Sequence, residues 1–343
     1  YPPALFEQLA ELGLMGMTAP GVFGGTEADY VSYALALMEI AAADGALSTI
    51  LSIQNSLIVG SLLKDGAPEQ QARFLPDLIA GRMIGAFALT EADAGSDAGA
   101  IRTRAARCEG GYRLDGAKQF ISSGRTAGLA VVFAVTDPEL GRRGISAFLV
   151  PTDRAGYVVD KVESKLGQGA SDTCAIRLVD LFVDAGLRLG AEGSGYAIAL
   201  SNLEAGRIGI AAQSVGMAQA ALDTAVGYAR ERISFGQPIL EHQAVGFRLA
   251  DLATRLEAAR QLVLHAASLK DEGAPCLREA SMAKLFASET AEAVVSGAIQ
   301  TLGGYGYLED FGLAKIYRDV RVCQIYEGTS DIQRLVIARG LRA

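Results

Sequence analysis

The 343-residue chain reads as an α+β protein laid out as a helical region, a β region and a second helical region. Three observations predict this. Apolar residues recur at helical spacing up to about residue 85. Short β-rich runs broken by Gly turns fill about 85–190. Long helical patterns joined by short turns occupy the remainder. The length exceeds the ~100–200 residues of one domain, so domain bounds of 1–85, 86–194 and 195–343 are expected.

In the first region Pro2 and Pro3 precede an apolar pattern at Leu5, Leu9, Leu12 and Leu14. A loop with Gly13, Gly16, Pro20, Gly21, Gly24 and Gly25 follows, then helices near 27–43, 46–64 and 68–80. The β runs are 84–89, 112–114, 129–136, 145–150, 157–162 and 173–183. No long helix fits between them, so an antiparallel arrangement is expected rather than βαβ units. The last region predicts helices over 196–230, 240–270, 276–301 and 330–341, with a shorter one near 312–320. Pro238 and Pro275 stand near helix starts, where Pro is tolerated.

Composition narrows the function. A formal net charge of -8 argues against nucleic acid as the main partner. A local Arg or helix N-terminus could still hold a phosphorylated ligand. Cys108, Cys174, Cys276 and Cys323 are scattered without a CxxC pair, so reduced thiols are expected rather than a zinc site or disulfides. With only His242 and His265 besides, no metal is expected. No signal peptide is visible. The stretch from 45 to 63 carries no charge but holds Ser48, Thr49, Ser52, Gln54, Asn55, Ser56 and Ser61. That polarity favours a buried helix of a soluble protein over a membrane span. The Rossmann fingerprint, the Walker A motif and the G-x-S-x-G elbow are absent, which weakens NAD, ATP and serine-hydrolase readings.

Four motifs carry chemistry. Ser330-Asp331-Ile332-Gln333 fits a capping box with Ser330 as N-cap, starting a helix just after Glu327-Gly328. Glu327 then lies on a short loop where Gly328 permits close approach, and apolar surroundings would suit it to proton abstraction. From the residues alone a surface Glu before an ordinary helix is the simpler reading. The loop from Thr90 to Asp97 offers backbone N–H groups and hydroxyls, or is an acidic turn. Gly303-Gly304 ends a helix and allows backbone approach, or is only a C-cap. Arg232, in a turn with Phe235 and Gly236, either pairs with a phosphate or solvates a helix end.

Taken together and in order, six runs resemble the acyl-CoA dehydrogenase family. They are Phe87-Ala88-Leu89-Thr90-Glu91-Ala92-Asp93-Ala94-Gly95-Ser96-Asp97, Phe120-Ile121-Ser122, Glu204-Ala205-Gly206-Arg207-Ile208-Gly209-Ile210-Ala211, Glu231-Arg232-Ile233-Ser234-Phe235-Gly236, the run from Gln300-Thr301-Leu302-Gly303-Gly304 to Tyr307, and Ile325-Tyr326-Glu327-Gly328-Thr329-Ser330. The resemblance spans essentially the whole chain. It implies an N-terminal helical domain, a middle antiparallel β-domain, a C-terminal four-helix bundle and a homotetramer. It departs at Phe120, where Trp is common, and at Ala92-Asp93, where Pro-Gly is frequent.

The resemblance further implies bound FAD. Phe87, Leu89, Thr90, Gly95 and Ser96 would line the flavin, with Ser96 also near the substrate. Phe120, Ile121 and Ser122 would pack on the ring system. Arg232, Phe235, Gln243 and the run Gln300, Thr301, Leu302, Gly303 and Gly304 would contact the dinucleotide, one group from a neighbouring subunit. Thr329, Ser330 and Asp331 would border the cofactor. Glu204, Ala205, Gly206 and Arg207 would lie along the thioester, with Gly328 beside it. Glu327 would take the α-proton of an acyl-CoA while a hydride leaves the β-carbon, the thioester carbonyl accepting hydrogen bonds from the Glu327 N–H and a flavin ribityl hydroxyl. Relatives with a base just before the Arg of 204–207 carry Glu there; Gly206 leaves Glu327 as the single candidate.

Electrons would pass to an electron-transfer flavoprotein, in the cytoplasm of a bacterium or the mitochondrial matrix of a eukaryote. Leu51 to Leu57, Ser123, Ala127-Gly128 and Glu279 to Lys284 look like short-chain and short/branched-chain members. No Lys or Arg lies between 45 and 63 to neutralise a dicarboxylic acyl group. A short, uncharged acyl chain is therefore expected, with a role in β-oxidation or branched-chain amino acid catabolism. The rivals are an acyl-CoA oxidase, an acyl-carrier-protein dehydrogenase, a nitroalkane oxidase (which would use Asp as base) and a catalytically silent binding subunit.

Overall fold

The computed structural model describes residues 3–342. Tyr1, Pro2 and Ala343, which fall at the outer ends of the first and third expected domains, lie outside the described residues. Two compact units emerge. One comprises the chain up to Asp29, Ile50–Ser164 and Ala170–Gly206; the other comprises Tyr30–Thr49, Lys165–Gly169 and the chain from Arg207.

The first unit begins with helix α1 (Pro3–Glu11). An apolar helix that starts in the second unit as α3 (Gly45–Ser52) enters this one at Ile50, passes through a π-helical turn at Ile53–Val59 and ends as α4 (Gly60–Asp65). Its polar side chains are used locally. Gln54 Nε2 donates to the carbonyls of Leu78 (2.9 Å) and Met83 (3.1 Å), while its Oε1 accepts from Gly85 N–H (2.9 Å). Asn55 Oδ1 accepts from Met17 N–H at 2.7 Å. Each would cost free energy if buried without a partner. Among the described residues this is one helix long and apolar enough to cross a bilayer, yet 83% of its apolar window is buried in protein. Helix α5 (Pro68–Ile79) starts with Pro at its first position, and Gln70 Oε1 accepts from the Ala67 N–H at 3.0 Å.

The sheet of this unit contains β1 (Gly85–Ala88), β2 (Arg104–Cys108), β3 (Gly111–Ser122), β4 (Leu129–Val135), β5 (Ile145–Pro151), β6 (Tyr157–Val162), β7 (Thr173–Asp184) and β8 (Arg188–Leu189). Their order is β6-β7-β3-β2-β4-β5-β8, with β1 beside β4. Most pairings are antiparallel, as expected, but β1 runs parallel to β4, and β2 meets β4 in parallel at Arg104 and Val135. The chain reaches β4 from β1 through the β2–β3 hairpin, and that crossover makes the parallel pairing possible. Strand β2 is missed by pattern because Arg104, Arg107 and Cys108 are exposed and only Ala105 is buried. β3 extends well beyond the expected 112–114. It does so through an irregularity between Lys118 and Ile121, where Phe120 takes φ +59°. The bulge turns Phe120 outward (64% exposed) and Ile121 into the core (1%).

In the second unit, α2 (Tyr30–Ala43) packs with α7 (Gln243–Asp271): the Asp271 carboxylate accepts from the Tyr30 and Val31 N–H groups at 2.7 and 3.2 Å. Helix α6 (Gly195–Glu231) enters this unit at Arg207. A two-stranded ribbon of β9 (Ile233–Ser234) and β10 (Gln237–Pro238) joins it to α7. Helices α8 (Leu277–Leu302), α9 (Leu313–Val320) and α10 (Ser330–Gly340) complete the unit. The buried stripe of α8 is built from Ala280, Ala283, Ala287, Ala291, Val294 and Val295. Lys284 lies on that same stripe, fully buried.

Candidate active site

The loop ahead of α10 is more constrained than the sequence suggests. Its N-cap is Thr329 rather than Ser330: Thr329 Oγ1 accepts from the Ile332 N–H at 3.3 Å. The reason lies with Gln333. Instead of closing a capping box, its Nε2 donates to the carbonyls of Gly328 (2.9 Å) and Glu327 (3.3 Å). Glu327 and Gly328 both adopt left-handed backbone, with φ +51° and +91°. A Cβ at Gly328 would stand 2.7 Å from the end of the Gln333 side chain, on a backbone of φ +91° that other side chains rarely adopt, so glycine is favoured there. For Glu327 the conformation costs of order 1–3 kcal/mol, supplied by the surrounding bonds.

Glu327 as a residue is only partly covered, but its Oε2 is shut off from solvent and has no hydrogen-bond partner among the described residues. Burial pushes the carboxyl up to about 7, and the nearby charges of Lys284 and Arg207 pull the other way. Lys284 Nζ donates to Gly328 O at 2.6 Å. Burial lowers its ammonium to about 8, against the raising influence of Cys323 and Glu327. Arg207 is buried in α6 and its Nη1 donates to Ser281 Oγ at 3.3 Å. The Glu327 N–H donates to none of the described residues. A carboxyl that ionises near neutrality, with one oxygen unpartnered among the described residues and cations nearby, is equipped to accept a proton.

The preceding residue anchors the loop. Tyr326 Oη donates to Gln213 Oε1 at 2.6 Å, and Gln213 Nε2 donates to Gly45 O (2.7 Å) and Thr49 Oγ1 (2.6 Å). Thr49 Oγ1 in turn donates to Gln168 Oε1 at 2.8 Å. Burial raises the phenol well above its ordinary value, so it remains a donor. Gln168 is fixed by its N–H to the Asp319 carboxylate.

Elsewhere in the second unit, Arg232 shares a cavity of about 460 Å³ with Thr301, Leu302, Gly303 and Gly304. The sequence spacing of nearly 70 residues hides that meeting. Gly303 has φ +61° and open space where a Cβ would go. A guanidinium facing glycine backbone and a hydroxyl suits the diphosphate of a dinucleotide. Gln300 is exposed beside this run. Phe235 is 94% exposed at the ribbon turn, and Gln243 is exposed at the first residue of α7. His242 Nε2 lies 3.0 Å from Ser234 O and steadies the turn.

In the first unit, two of the expected flavin-lining runs are held together. The Gln119 N–H donates to Thr90 O at 2.9 Å. Lys118, fully buried, donates from Nζ to Leu89 O (3.1 Å) and Glu91 Oε1 (2.8 Å). The Glu91 carboxylate also accepts from the Arg102 N–H (2.6 Å) and the Thr103 N–H (3.0 Å). Burial would raise Glu91, but the charge and hydrogen bonds of Lys118 hold it below its ordinary range. Phe87 is half-buried against Phe133, and Leu89 is buried. Gly95 and Ser96 lie exposed in the following loop. Ser122 is half-buried at the end of β3, just before Ser123 (φ +58°), whose N–H donates to Asp172 O at 2.9 Å. Ala205 and Gly206 are buried in α6 and Glu204 half-buried. Ser330 is half-buried and Asp331 exposed at the start of α10. Sequence reasoning missed Lys118 and gave Lys284 and Gln333 other parts, Lys284 in a run resembling short-chain members and Gln333 in a capping box; for the two lysines the available signal was a cation within an otherwise apolar periodic stripe.

Three family models match in order: the acyl-CoA dehydrogenase N-terminal domain over 1–82, the middle domain over 86–181 and the C-terminal domain over 193–342. An acyl-CoA dehydrogenase of Bacillus subtilis (strain 168) is 47% identical over 99% of this chain and 90% of its own. The mitochondrial short-chain specific acyl-CoA dehydrogenase of Bos taurus is 45% identical over 98% of this chain and 82% of its own. The solved structure of butyryl-CoA dehydrogenase from Megasphaera elsdenii superposes with a TM-score of 0.98 at 39% identity, covering 100% of this chain and 91% of that one. A structure described as an electron transferring flavoprotein of Acidaminococcus fermentans, in work on flavin-based electron bifurcation, matches with a TM-score of 0.98 at 41% identity, over 99% and 90%. The chain belongs to the acyl-CoA dehydrogenase family and is an FAD-dependent oxidoreductase of that fold.

Proposed function

We propose that the chain removes an α-proton and a β-hydride from a short-chain acyl-CoA, with Glu327 as the base. The observation that carries this reading is the solvent-shielded, unpartnered Glu327 Oε2, whose carboxyl is raised to about 7. A base poised there is ionised in useful amount at neutral pH yet still binds a proton strongly. The Glu327 N–H is available to a thioester carbonyl, stabilising the charge that develops as the α-proton leaves. Cationic Lys284 and Arg207 partly offset the burial and favour the ionised carboxyl before substrate binds. FAD, when bound, supplies the hydride acceptor.

We assign its contacts to the expected residues: Phe87, Leu89, Thr90, Gly95, Ser96, Phe120, Ile121 and Ser122 for the flavin; Arg232, Phe235, Gln243 and Gln300 to Gly304 for the dinucleotide; and Thr329 to Asp331 at its border. Exposed Phe120 in its bulge and the Arg232 cavity support that assignment. Ser96, Glu204 to Arg207 and Gly328 are assigned to the substrate.

A short acyl chain is supported by the short-chain and butyryl-CoA dehydrogenase relatives. An electron-transfer flavoprotein as acceptor is supported by the Acidaminococcus neighbour. Exposed Phe235, Ile233, Phe247 and Tyr307 on the second unit favour self-association, and we propose a homotetramer. The test is anaerobic titration of FAD-loaded protein with acyl-CoAs of graded length. Butyryl-CoA should bleach the flavin of the wild type and leave E327Q yellow. Bleaching of E327Q at the wild-type rate would refute the assignment of the base.

A further inference from the structure

We infer that Lys284 is a positioning residue for the base, its buried ammonium locking the Glu327–Gly328 turn and holding the Glu327 carboxylate in its ionised form. This rests on Glu327 being the base proposed above.

Lys284 is fully buried on the small-residue stripe of α8, between Ala280, Ala283 and Ala287. Burying an ammonium costs several kcal/mol unless nearby groups compensate. Its hydrogen bond goes to the Gly328 carbonyl at 2.6 Å, in the residue after the base. Gln333 already donates to the same oxygen at 2.9 Å. A neutral donor thus caps this carbonyl without a charge, so capping alone does not explain a buried cation. The charge finds its purpose in the neighbouring carboxylate. The charged and titratable groups acting on Lys284 are Glu327 on the loop, Cys323 on the short helix Arg321–Gln324 and Arg207 on α6. Cys323 is buried and held neutral by burial, and Arg207 repels. Glu327 is the one anion in that set. The two effects act together: the hydrogen bond fixes the peptide plane that follows a left-handed Glu327, and the charge favours loss of the Glu327 proton.

The test compares the pH dependence of flavin reduction by butyryl-CoA in FAD-loaded wild type, K284M and K284Q. K284M keeps the stem and loses the charge; K284Q keeps a donor and loses the charge. Both should move the acid limb of the rate to higher pH by ~1–3 units, the effect of an opposite charge at close range. At pH 7 that is a loss of about five-fold or more, recovered at high pH. A uniform loss with the limb unmoved would make Lys284 merely structural and overturn the inference. Should neither variant hold FAD, K284M/E327Q decides. Charge compensation requires the double variant to regain FAD binding, and its failure to do so would also overturn the inference. Flavin bleaching by E327Q alone at the wild-type rate would instead sink the assignment of the base, independently of Lys284.

Discussion

Replacing Glu327 by Gln should abolish turnover and make the protein more stable, by an amount that depends on pH. The Glu327 carboxyl is raised from 4.5 to about 7 on folding. A group whose folded value is raised contributes its full stability below the unfolded value. That contribution falls as pH climbs through the window from 4.5 to about 7. Above the window the ionised, buried carboxylate costs about 3 kcal/mol. Gln, isosteric with the protonated acid, removes that cost. At pH 8 the gain should be about 3 kcal/mol, and at pH 5.5 roughly half as much. With an unfolding entropy near 2.1 cal/mol/K per residue, the pH 8 gain raises Tm by about 4 °C. Calorimetry of FAD-loaded wild type and E327Q at the two pH values measures this directly. An equal gain at both, or no gain at pH 8, would show that Glu327 is not held at a raised proton affinity, and the electrostatic case for its role would fall.

Wild-type kcat/KM for butyryl-CoA should rise with pH and level off above about 7, as Glu327 ionises; stopped-flow flavin reduction from pH 6 to 9 reads it. G328A places a Cβ 2.7 Å from Gln333 Nε2 on a backbone of φ +91°. It should slow flavin reduction about 100-fold by displacing the base, with FAD content little changed. K118M leaves the Glu91 carboxylate without its buried partner and should destabilise the first unit by about 3–5 kcal/mol. Denaturant unfolding and FAD retention on dialysis check this, and wild-type values in both would contradict it. Y326F removes the donor to Gln213 Oε1 and should cost about 1–3 kcal/mol, seen as a lowered denaturation midpoint.

What was legible in the sequence followed from periodicity. Long helices such as α7 and α8 repeat an apolar stripe many times, so their bounds fall within a few residues of those expected. β2 offers no such repeat: its pairing with β3 over Arg104–Cys108 is made by backbone, and its side chains are mostly solvated. The β1–β4 parallel contact depends on which strands meet after a crossover, which alternation cannot encode. The N-cap shifted by one residue for a similar reason. Ser330 satisfies the local pattern, but Gln333 is claimed by carbonyls that the left-handed turn presents to it. Local rules place a cap correctly only when the loop before it is regular.

The site shows the same division more sharply. Glu327 was visible as a carboxylate on a glycine-flanked loop, and ordered motifs made it the base candidate. Its chemistry, however, is set first by burial and then moderated by residues 43 and 120 positions earlier, Lys284 and Arg207. A lone lysine on an apolar helical face is a frustrated choice unless something pays for its desolvation. The buried carboxylate is frustrated in the same way. Brought together, each charge offsets part of the other's desolvation. Selection for stability alone would replace both with apolar residues of similar size. Their joint presence in this chain, against about 3 kcal/mol for the carboxylate at alkaline pH, fits the proton acceptor proposed for Glu327: an acid that ionises near neutrality, in a turn held by its neighbours.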